Sequence, residues 1–327
     1  MLAAAMRRYG NRTRDYWEVT NEPNLAMNGD GYIDYYNFAK IVADTVKADP
    51  VTRHLALVGP ALAFGGALSV PWLENIMNSG IVELFDFITV HFYRPGVPES
   101  VNDLDESSHS VAFVRTLIAQ HGGQTKPVCD VLSGEWGYST VDVDETIQAS
   151  YLVRQWLTML SAKVQLANWY DWVDDCDDAT NKECRFGVVR SNFSPKPAYR
   201  AAQSLLHLFG QATLDAPDWP STGGRALSFD NSSRFVIWNV DTNYSNTFGQ
   251  PVTIQVPTQH PRACYSVMPL IKSNTTTPLP HVPNLVANQS CADKSGWLTY
   301  AVTGEPVAMI LDSNLPEPGG KRVVPVK

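Results

Sequence analysis

The chain has 327 residues, 44% of them hydrophobic and 18% charged, enough to bury a sizeable core in one large domain or two ordinary ones. No run approaches the ~20 apolar residues of a membrane-spanning helix, and a net charge of -8 without a Lys/Arg cluster argues against nucleic acid or an anionic membrane as partner. A neutral ligand fits better, and nine Trp and thirteen Tyr suit stacking on sugar rings, although core packing accounts for most such side chains.

MLAAAMRRYG at the start reads as the end of a helix, and it is too soon interrupted by Arg7 and Arg8 for a secretory signal. From there to Gly210, short β-rich runs alternate with longer amphipathic stretches, the pattern of an α/β region with a parallel sheet. The expected strands are DYWEVTN (15–21), LALVGPA (55–61), FDFITVHFY (85–93), PVCDVLSGE (127–135) and VQLANWYDW (164–172). The expected helices end at Pro50, Gly80 and Gly122, then comes one opening on Asp144 and Glu145, and a last one ends at Gly210. Beyond Gly210, RFVIWNV, PVTIQVP, ACYSVM, WLTYAVT and PVAMIL lie between Ser, Thr, Asn, Pro and Gly clusters and read as a small antiparallel β-sandwich. LPEPGGKRVVPVK reads as a loose tail.

The five cysteines have no CxxC or Cys/His spacing of the kind that holds zinc. Cys176 with Cys184, and Cys264 with Cys291, read as two disulfides, leaving Cys129 as a buried thiol. Six N-x-S/T sequons, at Asn11, Asn192, Asn231, Asn243, Asn274 and Asn288, point with them to an oxidising secretory route, each being weak alone.

WEVTNEPN places Asn21 and Glu22 directly after a strand, and LSGEWGYST ends another strand on Glu135 followed by Trp136, a candidate substrate-binding side chain. Two glutamates ending parallel strands suit a retaining glycosidase: one carboxyl donates a proton to the leaving oxygen while the other, ionised and ~5 Å away, attacks the anomeric carbon. Between them FDFITVHFY delivers His91 and Tyr93, a Tyr to hydrogen-bond the nucleophile and a His to bond the acid or a sugar hydroxyl. Trp169 and Trp172 are the favoured sugar-stacking side chains of the next strand, with alternation separating 169 and 171 from 170 and 172. A plain turn for Asn21, a core His91 and a core Trp-rich stretch are the bland alternatives. No GxSxG occurs, which disfavours an α/β-hydrolase.

In this order WEVTNEPN, ITVHFY, SGEWGYS, WYDW and SPKPAYRAAQSL resemble the catalytic half of the clan A retaining glycoside hydrolases, (β/α)8 TIM barrels that include families 5 and 39. The resemblance covers about residues 1–210. It implies Glu22 as acid/base on strand four, Asn21 on the sugar 2-hydroxyl, Tyr93 on strand six, Glu135 as nucleophile on strand seven, and an aromatic platform on strand eight. The clan's first three strands, with an Arg near the nucleophile, have no counterpart here.

The expected architecture is therefore strands four to eight of the barrel over 1–210, a β-sandwich domain over 211–315 and a tail over 316–327. The expected activity is hydrolysis of β-glycosidic bonds of an oligo- or polysaccharide by double displacement, without metal or cofactor. The alternative is a truncated, inactive carbohydrate-binding remnant. A missing third of a barrel would leave low or no turnover, and an extracellular or lysosomal location would require a signal upstream.

Overall fold

The computed structural model describes residues 2–9, 16–27, 30–122, 129–216, 224–240, 251–271 and 288–312. The chain divides into two compact units, Met1–Gly137 with Thr158–Tyr170, and Tyr138–Leu157 with Asp171–Lys327. No helix among the described residues is long and apolar enough to cross a membrane.

The elements from the start to residue 169 are α1 (Leu2–Tyr9), β1 (Tyr16–Glu18), α2 (Pro23–Ala26), α3 (Gly31–Ala48), β2 (Ala56–Ala63), α4 (Ser69–Asn78), β3 (Phe87–His91), α5 (Val111–Gln120), β4 (Asp130–Trp136), α6 (Glu145–Ser161) and β5 (Ala167–Trp169). The five strands pair in chain order, every pair parallel, in a curled half-barrel. The helices form where apolar residues recur every three or four positions: α3 buries Tyr35, Ala39, Val42, Ala43 and Val46 along one stripe. Ser110 caps α5, its Oγ accepting the Phe113 N–H at 2.9 Å.

Strand alternation gives the sheet two apolar faces. Leu57, Ile88, Val90 and Val131 join the helix residues in one cluster, while Val58, Phe87 and Leu132 form another. Each such side chain contributes about 1.5–3 kcal/mol on burial. The register shifts at Pro60/Leu62 on β2 and again where Val90 pairs Ser133 but His91 pairs Glu135, so Gly134 is an extra residue in β4. Such bulges re-aim the side chains that follow them.

The second unit contains α7 (Pro197–Phe209) and the strands β6 (Leu214–Ala216), β7 (Gly224–Phe229), β8 (Arg234–Asn239), β9 (Val252–Pro257), β10 (Cys264–Pro269), β11 (Asn288–Cys291), β12 (Trp297–Val302) and β13 (Val307–Leu311). They form a six-stranded sheet, β11-β10-β13-β8-β7-β6, and a pair, β12-β9, all antiparallel. Phe235, Ile237, Tyr265 and Met309 of the first share one apolar cluster with Ile254, Val256, Leu298 and Val302 of the second. The five strands expected here are present; β6, β7 and β11 are additional, two of them short and the third begun on Gly-Arg-Ala with little apolar signal.

Both expected disulfides form, Cys176–Cys184 and Cys264–Cys291. Cys129 is half-buried, against the expectation of a buried thiol, because it precedes β4. Asn192 and Asn231 are exposed; Asn11, Asn243, Asn274 and the 316–327 tail lie outside the described residues. In this unit Lys196 Nζ donates to Asp174 Oδ1 at 2.7 Å, both side chains fully buried, and Arg185 lies 4.0 Å from the other oxygen.

Candidate active site

The site begins where β1 runs out. Val19 N–H still reaches the Val58 carbonyl at 3.0 Å, but Thr20 turns to φ 68° and Glu22 sits at φ 45°, ψ 53°. That left-handed conformation costs a non-glycine residue about 1–3 kcal/mol. Surrounding bonds hold it there: Glu22 N–H donates to the Ala61 carbonyl at 2.9 Å, and Ala61 N–H donates to Thr89 Oγ1 at 2.9 Å. Asn24 then bonds Ala63 in both directions at 3.0 Å, its amide donating to the carbonyl and its oxygen accepting the N–H. Pro23 opens α2 at a position where a missing N–H is harmless.

His91 ends β3 and Tyr93 follows two residues later, its N–H on the His91 carbonyl at 2.9 Å. His91 is 1% exposed, and its Nδ1 stands 2.8 Å from Glu22 Oε1 and 3.9 Å from Glu135 Oε2. Tyr93 donates its hydroxyl to Glu135 Oε1 at 2.5 Å. Burial first, and then the hydrogen bond to Glu135 and the charges of Glu135 and Glu22, push the Tyr93 phenol above its ordinary range, so it remains a donor. One carboxylate oxygen each of Glu22 and Glu135 and a ring nitrogen of His91 lie within 4.8 Å of one another. Among the described residues no Lys or Arg stands within ion-pair distance of either glutamate.

Glu22, His91, Tyr93 and Glu135 are therefore brought together from the ends of three strands. Asn21 is exposed in the turn beside them. Trp136 is fully buried with Trp169 edge-on to it, ring centroids 4.9 Å apart, and Trp169 is half-buried. Trp172 is 63% exposed and packs edge-on against Tyr199 in the second unit. β5 stops at Trp169, so strand alternation does not extend to 170–172 as expected: Tyr170 N–H donates to the Trp136 carbonyl, and the chain leaves the sheet.

Three residues near the site escaped sequence reasoning. Asn24, Glu18 and Gly134 lie within the motifs WEVTNEPN and SGEWGYS, where nothing in the sequence singles them out. Gly134 matters because a Cβ there would lie 2.7 Å from Glu18 Oε1 and 3.4 Å from His91 Nε2.

No family model matches the chain, and no curated protein matches it. Among solved structures it is similar to a family 39 glycoside hydrolase from the gut symbiont Bacteroides cellulosilyticus WH2, with TM-score 0.73 and 22% identity over 95% of this chain and 60% of that one. It is also similar to a Paenibacillus polymyxa xyloglucanase of glycoside hydrolase family 44, TM-score 0.58 and 11% identity, covering 94% of this chain and 68% of that one. A family 51 α-L-arabinofuranosidase from Bifidobacterium longum gives TM-score 0.55 and 14% identity over 90% and 67% of the two chains. At these identities the likeness is one of fold, a fold shared with glycoside hydrolases, and the chain spans 60% of the length of the first.

Proposed function

We propose that this chain carries the catalytic centre of a retaining O-glycosyl hydrolase that cleaves β-glycosidic bonds of an oligo- or polysaccharide by double displacement. The observation that carries the reading is the approach of Glu22 and Glu135, oxygens within 4.8 Å, each held by a different uncharged-capable partner, His91 and Tyr93. Retaining enzymes hold their carboxyl groups about 5–5.5 Å apart, whereas inverting ones need about 6.5–9.5 Å to admit water.

In this reading Tyr93 occupies Glu135 Oε1 and leaves Oε2 to attack the anomeric carbon. The C–O bond to the leaving group breaks as Glu22 gives that oxygen its proton. Glu22, now ionised, takes a proton from water, and the resulting hydroxide displaces Glu135 from the sugar. Protein groups suffice for every step, and the hydrogen bonds above account for the spacing of the trio, so we read it as catalytic and not as a metal site.

Asn21 is proposed to bond the sugar 2-hydroxyl, and Trp169 to wall the sugar, with buried Trp136 acting through Trp169. Exposed Trp172 is a further proposed stacking surface. We assign the five parallel strands to strands four to eight of a (β/α)8 barrel spanning 1–210, with a β-sandwich domain over 211–315. The two disulfides and the exposed sequons Asn192 and Asn231 support an extracellular or lysosomal glycoprotein.

The test is trapping with a panel of 2-deoxy-2-fluoro glycosides bearing good leaving groups, followed by peptide mapping. A glycosyl adduct on Glu135 is expected. An adduct elsewhere overturns the assignment, and sugar binding without any adduct across the panel makes the chain a carbohydrate-binding remnant.

A further inference from the structure

His91 uses one ring nitrogen on Glu22 and leaves the other, Nε2, buried with no hydrogen-bond partner among the described groups. A buried polar N–H without an acceptor costs about 1–3 kcal/mol, so the direction in which Nε2 points is informative. Nε2 lies 3.4 Å from where a Cβ at 134 would stand, and Oε1 of Glu18, a solvent-exposed residue, lies 2.7 Å from the same point. Alternation places the two on one face of the sheet. Glu18 is in register with Val58, and Val58 clusters with Phe87, which lies four residues before His91 on β3. Gly134 is the extra residue of the bulge, and a side chain there would crowd both groups.

We propose that Glu18 accepts the His91 Nε2–H through one bridging water, and thereby fixes His91 as the Nε2–H tautomer. The Nδ1 lone pair then faces Glu22, and the 2.8 Å contact is made with Glu22 as the donor, in its acid form. Glu18 is thus a positioning residue acting through His91, a role that rests on reading Glu22 as the acid/base. The other titratable groups around the ring are Glu135 and Tyr93, with Tyr170 behind Tyr93 and Tyr35 near Glu18; β2, the strand between, brings none. Without Glu18 the ring turns to the Nδ1–H tautomer and donates to Glu22, which favours the ionised carboxylate. The acid form is then lost at lower pH.

The test is the histidine tautomer itself, read from long-range proton–nitrogen spectra of the whole chain labelled with 15N-histidine, with His91 assigned by its loss in His91→Asn. Nε2–H is expected in the parent, a shift to Nδ1–H in Glu18→Ala and in Gly134→Ala, and retention in Glu18→Gln, whose amide oxygen still accepts. Nδ1–H or a doubly protonated ring in the parent at neutral pH, or an unchanged ring in Glu18→Ala, overturns the proposal. With a cleavable aryl glycoside, the alkaline limb of kcat/KM moves down by about one pH unit in Glu18→Ala. The spectrum reads the ring whether or not sugar is cleaved, so the expected tautomers without turnover would uphold the Glu18–His91 pairing and count against the hydrolase reading alone.

Discussion

The molecule holds two sets of carboxylates, one fully buried and one half-buried, in contrasting ways. In the second unit Asp174 is fully buried against the ammonium of Lys196, with the Arg185 guanidinium nearby, so its charge is answered by fixed cations. At the strand ends of the first unit Glu22 and Glu135 are held by His91 and Tyr93 and by no Lys or Arg among the described residues. A carboxylate locked to a cation stabilises one charge state. One held by groups that exchange protons or donate a neutral hydrogen bond can change its charge during a reaction, and that is the property acid/base chemistry requires.

The contrast breaks most sharply if the site glutamates turn out to be structural. Glu135→Gln should lower turnover of an activated aryl glycoside at least ~10⁴-fold while leaving the thermal midpoint nearly unchanged. A stable variant with near-parental turnover would remove Glu135 from the chemistry. The reverse behaviour is expected of Lys196→Met. Removing the cation leaves Asp174 buried beside only a distant guanidinium, and denaturant unfolding should show a loss of about 3–5 kcal/mol, with much of it regained in Asp174→Asn/Lys196→Met.

Tyr93→Phe should have a smaller effect on rate, a ~30-fold fall in kcat with little change in KM, since in the proposed mechanism the hydroxyl bonds the nucleophile and not the ground-state sugar. Steady-state kinetics with a saturable substrate read that split.

The smallest effect concerns Asp171. Burial, then the charges of Asp175 and Asp174, raise its carboxyl to about 6 against a partial opposing pull from Lys196. A carboxyl raised in the folded state contributes stability that is complete below its unfolded value near 3.8 and is lost as pH rises through about 6. Asp171→Asn should therefore melt ~2 °C above the parent at pH 7.5 and show no advantage at pH 4, as followed by circular dichroism.

Much of the fold is legible in the sequence. The alternation of β-rich runs with 3.6-periodic stretches specified the strand and helix order of the first unit, because parallel strands buried on both faces must be apolar throughout and the helices covering them must carry one apolar stripe. Cys176–Cys184 and Cys264–Cys291 followed from their placement along the chain. β6, β7 and β11 did not, because β6 and β11 are too short to carry a periodic signal and β7 opens on Gly-Arg-Ala with little apolar signal.

Within the candidate site, Asn21, Glu22, His91, Tyr93 and Glu135 could be placed at one edge from their positions at strand ends, since chain direction alone sends those ends to one edge of a parallel sheet. Their pairing could not. It depends on the two bulges, at Ala61 and Gly134, which turn Glu22 toward His91 and let both Gly134 and Glu135 border the site. Trp136, expected as a substrate-binding residue, is buried in the fold, with the Trp169 ring edge-on to it. Glu18 shows why: a strand carboxylate four residues before Glu22 carries no mark of its own, and only the missing side chain of Gly134, more than a hundred residues later, sets it opposite the buried nitrogen of His91. Residue types and their order determined which chemistry the strand ends could carry; which groups meet was decided by register, a property of strand pairs that neither strand's sequence holds alone.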